Sequence, residues 1–150
     1  MKNTIQSLLI ILMLVVSVQA YAETVGENPF IPVDLDQFIQ TERVTDEGKK
    51  VLKMGKPILF EAILKQYPDM REMSYVYTAM ELARFDPIPE VEYRMFVESE
   101  AGVIHPVYVE NSLVPEIQKQ LREGELATFV GYHLYNYARG PAILVIDFDK

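Results

Sequence analysis

The chain has 150 residues, a formal net charge of −8 and no cysteine. The lack of cysteine excludes disulfides, thiolate metal sites and cysteine nucleophiles. The acidic balance argues against binding to nucleic acid or anionic lipid, because both need a basic stripe. The strongest basic cluster is interpreted as a solvated helix face, and it comprises Lys49, Lys50, Lys53 and Lys56.

The N-terminus has the layout of a secretory signal peptide. Lys2 supplies a positive start, residues 8–18 form an apolar core, and Ala20-Tyr21-Ala22 fits a small-x-small cleavage site. The apolar core is shorter than the roughly 20 residues that a membrane-spanning helix needs. We therefore predict that residues 1–22 are removed, that the mature chain has no membrane span, and that it is periplasmic or secreted.

Residues 23–55 are predicted to form an N-terminal extension with short helices. Asp34 is suited to cap a helix. The apolar side of that helix comprises Leu35, Phe38 and Ile39. Residues 49–54 are interpreted as one or two further helical turns. The apolar side chains of the extension either fold back onto the domain or dock onto another protein, and folding back is the commoner arrangement.

Two stretches suit either a strand or a helix. In residues 56–67 the hydrophobicity alternates, which favours a strand, although Pro57 also fits the first position of a helix. We predict a strand there. Residues 73–85 begin with β-branched and aromatic residues from Tyr75 to Thr78 and continue with a helix-forming run, so both assignments stay open.

The following residues predict a β-hairpin and a helix. Runs 91–97 and 103–109 are extended and joined by a loop that contains Gly102. Pro106, inside the second run, indicates a bulge or an edge-facing position. The next apolar residues recur at helical spacing, and the expected N-cap of that helix is Asn111 or Ser112.

The last stretch, 125–148, predicts a second hairpin. Two apolar, alternating runs flank Arg139-Gly140-Pro141. Because both faces of the hairpin are largely apolar, we expect it to lie in a closed or covered sheet.

The order of elements is strand-strand-strand-helix-strand-strand in a mainly β chain with one or two helices. This order resembles the OB-fold, a small five-stranded barrel with its helix between the third and fourth strands. YRMFVESEAGVIHPVYV matches its second and third strands, VPEIQKQLREGE its helix, and LATFVGYHLYNYARGPAILVIDF its last two strands. The resemblance begins near Tyr75 and leaves residues 56–67 without a fixed place. The predicted domain is an OB-fold-like barrel over residues 56–150, and the resemblance implies a ligand surface on strands two and three.

Two histidines, His105 and His133, are the metal-ligand candidates. On one face, with a nearby acid, they would suit zinc or copper. The alternative is two half-buried residues that complete strand faces. Serine residues lack a nucleophile-elbow context and the glycines form no phosphate loop, so no catalytic residue and no cofactor is predicted.

Tyrosines are the candidate ligand-binding residues. A strand face that carries tyrosines, with an arginine at its rim, can stack on a sugar or hold a peptide. Strict alternation places Tyr135 and Tyr137 on one face and Tyr132 on the other. The alternative is that these tyrosines are ordinary strand residues. The predicted set is Tyr93, Tyr108, Tyr135, Tyr137 and Arg139.

The sequence therefore favours an exported, non-enzymatic binding module whose ligand is a protein, peptide or saccharide of the envelope. Two alternatives stay open. One is an accessory subunit of an envelope assembly that docks through residues 23–55. The other is a small metal-binding or hydrolytic protein that uses His105 and His133.

Overall fold

The computed structural model describes residues 28–150, so the predicted signal peptide lies outside the described residues. The strands are β1 (Ile31–Pro32), β2 (Val51–Met70), β3 (Tyr93–Glu98), β4 (Ile104–Val109), β5 (Leu126–Tyr137) and β6 (Gly140–Asp149). The α-helices are α1 (Leu35–Thr41), α2 (Ser74–Leu82) and α3 (Val114–Gln120), and a 3₁₀ turn, Asn111–Leu113, leads into α3. In residues 28–150 no helix combines the length and the apolar character that a membrane crossing requires.

Five strands close into a ring. The sheet order is β1-β2-β3-β4-β6-β5, and β2 also pairs with β5. Neighbours within the ring are antiparallel, except that β4 and β6 are parallel. Helix α3 connects the third and fourth strands of the ring. This closed arrangement, with the helix at that point of the chain, is OB-fold-like. The predicted fold class is confirmed, with three short α-helices in place of one or two.

Strand β2 is the first strand of the ring. It runs from residue 51 to residue 70, so the predicted strand at 56–67 is confirmed and the boundary drawn between residues 55 and 56 lies inside it. The predicted helical turns at 49–54 are wrong. Met54 and Gly55 instead have φ of 58° and 64° within a break in the pairing with β5. This bulge bends the strand, and the ring of Phe85 packs where a Cβ on residue 55 would lie.

Within the stretch 73–85, which suited either a strand or a helix, residues Ser74–Leu82 form helix α2. The helix lies in the connection between β2 and β3 and covers the outer face of the last hairpin. Its buried residues Val76, Ala79 and Met80, with Met73 just before the helix, share a cluster with Leu134, Tyr135, Ala142 and Leu144. Tertiary packing of this apolar face outweighs the strand propensity of Tyr75 to Thr78.

The main core fills the ring. Inward side chains of all five barrel strands meet there, and helices α1 and α3 add to the cluster. Leu35 and Ile39 of α1 are 4% and 2% exposed. The prediction that this helix folds back onto the domain is confirmed. Asp34 caps α1, accepting a hydrogen bond from the Gln37 amide at 2.8 Å.

Helix α3 starts differently from the prediction. No side chain caps it, so the expected caps at Asn111 or Ser112 are wrong. The Asn111 side chain instead accepts a hydrogen bond from the Glu92 amide at 2.8 Å and thereby ties the start of the helix segment to the residue before β3. Pro115 lies in the first turn of α3, where its missing N–H costs no helical hydrogen bond.

The last hairpin, β5 with β6, is covered on both faces as predicted. Ile143 and Val145 belong to the barrel core, whereas Ala142 and Leu144 pack under α2. The backbone of β6 passes close to β5 at Gly131. A Cβ on that residue would lie 2.1 Å from the Leu144 carbonyl oxygen. The glycine therefore permits the tight contact between the two strands.

Candidate functional site

The outer surface of β3 and β4 carries polar and aromatic side chains together. On β3, Met95 and Val97 are fully buried in the core, so that Arg94 and Phe96 point outward. The β3–β4 register places Pro106 opposite Phe96 and Tyr108 opposite Arg94. Outward-facing positions of the second and third barrel strands therefore form one continuous surface.

A groove of about 270 Å³ lies beside this surface. We call it the arginine groove; its lining residues are Ile39, Arg43, Phe96, Val103, Ile104, His105, Pro106 and Arg139. Arg43 comes from the residues just after α1, and Arg139 from the turn between β5 and β6. Arg94 adjoins the groove because its guanidinium carbon lies 4.9 Å from the centre of the Phe96 ring.

The three arginines at the groove have no carboxylate partner within residues 28–150. The ion pairs in this part of the chain involve other basic residues, namely Lys49, Lys53, Lys65, Arg71 and Lys150. The Nε atom of Arg94 is also buried without a hydrogen-bond partner. On a chain of net charge −8, the three arginines form a local concentration of positive charge, with Asp69 opposite Arg94 in the β2–β3 register.

Tyr137 lies within electrostatic reach of two of these arginines. Burial raises its pKa to about 12, and the neighbouring hydroxyl of Tyr108 acts in the same direction. The charges of Arg139 and Arg94 act in the opposite direction on the pKa of Tyr137. Arg94, Arg139 and Tyr137 thus share one electrostatic environment on the outside of the barrel.

The predicted tyrosines do not all share one face. Tyr93 packs against the barrel core, whereas Tyr108, Tyr135 and Tyr137 belong to the cluster beneath α2. Tyr132 lies in that outer cluster too, so the prediction that it faces away from Tyr135 is wrong. A register shift between residues 133 and 135 explains the difference, because a bulge interrupts the alternation.

Tyr135 is a packing residue in this structure. Its side chain is 3% exposed, and its ring meets that of Tyr75 edge-on at 4.8 Å. Its hydroxyl forms a 3.0 Å hydrogen bond with the hydroxyl of Tyr108. Burial, more than any neighbour, raises the pKa of Tyr135 far above its usual range. Of the predicted ligand-binding residues, Arg139 is the one that lines the arginine groove.

The two histidines are buried, each with a protein partner. His105 is 1% exposed, and its Nε2 lies 2.7 Å from the Pro141 carbonyl oxygen. His133 is 2% exposed, and its Nε2 lies 2.6 Å from Asn136 Oδ1. Within residues 28–150 no group of three or more His, Cys, Asp or Glu side chains is placed to hold a metal ion.

His133 begins a chain of polar contacts that fastens α1 to the barrel. Asn136 Nδ2 donates to Glu42 Oε2, and Lys53 Nζ lies 3.0 Å from the same carboxylate oxygen. Partial burial raises the pKa of Glu42, but the contacts with Asn136 and Lys53 outweigh it and lower the pKa overall. The ring of Phe38 packs edge-on against His133 at 4.8 Å. This chain of contacts fixes the end of α1 and hence the position of Arg43.

Sequence reasoning found Arg139 but missed Arg43, Arg94 and Phe96. Arg94 and Phe96 are two residues apart on a correctly predicted strand, next to inward-facing Met95 and Val97, so alternation alone would have placed them outside. Arg43 had no such signal, because the docking of α1 brings it to the groove.

No family model and no curated protein matches the sequence. Among solved structures, the chain is similar to the SSB domain of a Synechococcus sp. protein, with 16% identity over 63% of this chain and 93% of that domain. The TM-score is 0.43. A similarity this weak supports no conclusion about this chain, and the fold assignment depends on the strand order and pairing.

Substitution of Tyr135 distinguishes a packing role from direct ligand contact. We expect Tyr135→Ala to lower the free energy of unfolding by about 3–5 kcal/mol, as for other buried aromatic residues. Tyr135→Phe, which removes only the hydroxyl, should cost about 1 kcal/mol. Urea denaturation measures both. An Ala variant as stable as wild type would contradict the packing role.

The buried histidines predict that stability falls at mildly acidic pH. Burial lowers the pKa of both His105 and His133 below the usual 6.5. Below about pH 6.5 the unfolded chain therefore binds protons that the folded chain does not, so the free energy of unfolding declines as pH falls. The lowered pKa of Glu42 also stabilises the folded chain, and this stabilisation is lost at lower pH, as the pH falls below the usual pKa of 4.5.

Urea denaturation at pH 7.5, 6.5 and 5.5 measures this decline. Replacing His105 with Gln removes one of the two titrating groups, so the decline between pH 6.5 and 5.5 should be smaller in His105→Gln than in wild type. Equal declines in the two proteins would show that His105 does not titrate in this window.

Proposed function

We propose that this chain is an exported, non-enzymatic binding module that holds an anionic group of a protein, peptide or saccharide ligand in the arginine groove. The observation that carries the proposal is the convergence of Arg43, Arg94 and Arg139, without carboxylate partners in the described part of the chain, beside one groove. The export part of the proposal is supported by the signal-like pattern of residues 1–22.

The chemistry of the groove supports an anionic ligand. A guanidinium presents several N–H donors in a fixed plane and binds carboxylates or phosphates through paired hydrogen bonds. Phe96 and the 53% exposed Ile104 offer apolar surface in the groove, which suits the carbon skeleton of a peptide or sugar.

The small extent of the positive surface supports a compact anion over a nucleic-acid strand. Acidic residues outnumber basic residues by 22 to 14 in the whole chain, and a long phosphate backbone would meet repulsion beyond the groove. This is the basis for expecting peptide or saccharide ligands.

Three probes test the proposal: hexaglutamate for peptides, a galacturonate trimer for saccharides and the oligonucleotide dT10 for nucleic acid. We expect hexaglutamate or the trimer to bind in calorimetric titrations and dT10 not to bind. Arg139→Ala should weaken the bound probe about tenfold to a hundredfold, because one charge-assisted hydrogen bond contributes about 1.5–3 kcal/mol.

Arg122→Ala is the matched control, since Arg122 is an exposed arginine that does not line the groove. Binding that changes equally in both variants, or no binding of either expected probe, would contradict the proposed site. Sequencing of the N-terminus of protein recovered from the producing cells tests the export, and the first residue should be Glu23.

A further inference from the structure

A second surface lies on the outside of β2 and β5, on a different part of the barrel. It is a cleft of about 770 Å³ between the N-terminal segment and the β3–β4 loop. We call it the β2 cleft. Its lining includes Asp34, Asp36, Glu61, Glu98, Glu100 and Leu126.

The cleft opens over a gap in the pairing of β2. On the edge of β2 away from β5, β1 pairs with Ile58 and Leu59, and β3 begins pairing at Ile63. Neither strand pairs with the residues between them. The gap therefore spans about three residues of strand edge, roughly 10 Å at 3.4 Å per residue.

Within this gap the backbone of Glu61 faces the cleft. Leu64 exchanges its backbone hydrogen bonds with residues 124 and 125, just before β5, whereas the Leu59 carbonyl accepts from the Val33 amide on the opposite edge. In an antiparallel pair successive residues direct their N–H and C=O groups to alternate edges. The N–H and C=O of Glu61 thus point to the same side as those of Leu59, toward the unpaired gap.

The walls of the cleft combine negative charge with apolar surface. Three of its carboxylates have partners: Asp34 caps α1, Asp36 accepts from the Ala101 amide, and Glu98 is paired with Lys65. Glu61 and Glu100 are exposed and form no ion pair within residues 28–150. The apolar wall includes Leu126, whose side chain is 59% exposed.

We propose that the β2 cleft binds an extended, basic segment of a partner polypeptide, which pairs with the Glu61 edge as a short additional strand between β1 and β3. An open strand edge is a template for main-chain pairing, and pockets for alternate side chains give such pairing its selectivity. Lys or Arg side chains of the segment meet Glu61 and Glu100, and its alternate, apolar side chains face the opposite side of the sheet, where Leu35 and Ala62 line the cleft. This inference is independent of the arginine groove.

The probe is a capped heptapeptide of alternating lysine and valine, KVKVKVK, and the matched control is EVEVEVE. We expect the basic peptide to bind and to slow hydrogen exchange of the Glu61 amide, measured by NMR. Glu61→Lys combined with Glu100→Lys should weaken binding at least tenfold. The acidic control should not bind the wild-type chain.

Two further peptides separate strand pairing from simple charge attraction. In one, the three valine amides of KVKVKVK are N-methylated, and in the other the internal lysine amides are. Each blocks one edge of the peptide strand, so one of the two should lose at least tenfold in affinity. If both bind as the parent does, or if exchange at Glu61 is unchanged at saturation, the proposal is overturned.

Arg139→Ala is the control for the other surface, and it should bind KVKVKVK with wild-type affinity. A loss of peptide binding in that variant would place the basic peptide elsewhere and would also overturn the proposal. Circular dichroism of each variant establishes that the chain is folded, and Glu61→Gln, which keeps a polar side chain of similar size, provides a second test of the charge at that position.

Discussion

The pairing of β2 with both β3 and β5, which closes the sheet into a ring, is the constraint on which the rest of the structure depends. This strand pairs with β5 over most of its length and with β3 from Ile63 onward. Only a long and bent strand can meet both partners, and the bulge at Met54 and Gly55 together with the later register shifts supply the bending. Closure gives the apolar residues of all five strands one enclosed core.

Both candidate surfaces lie where the pairing of the barrel is incomplete. Strands β4 and β6 pair only at residues 108 and 109 of β4. Before residue 108 of β4, the seam between β4 and β6 is joined by the contact between His105 and the Pro141 carbonyl oxygen. Pro106, which has no backbone N–H, lies in this unpaired part of β4. The arginine groove adjoins this seam, and the β2 cleft adjoins the gap at Glu61. Ligand sites at both places would use backbone and side chains that the barrel leaves free.

The local patterns in the sequence were sufficient to predict most strands of the sheet. The β3–β4 hairpin, the last hairpin and the strand at 56–67 followed from alternation and turn residues, and Asp34 marked the start of α1. Residues 49–54 and 73–85 did not follow, because their conformations depend on contacts far away in the sequence. Phe85 packs over Gly55, and the outer face of the last hairpin covers α2. The sequence predicted only part of the candidate site. It identified Arg139, but it did not predict the bulge after His133 or the docking of α1, and these determine which residues surround Arg139.

The sequence by itself determined the class of the fold, because the order of elements and the apolar periods require one covered, mainly β barrel. It also determined the acidic balance and the lack of cysteine, which are properties of composition. Only the tertiary structure decided which side chains meet. Arg43, Arg94 and Arg139 come from three separate segments, and the edge of Glu61 is unpaired because β1 ends before β3 begins. Such juxtapositions depend on the closure of the ring, which brings together residues that no local pattern connects.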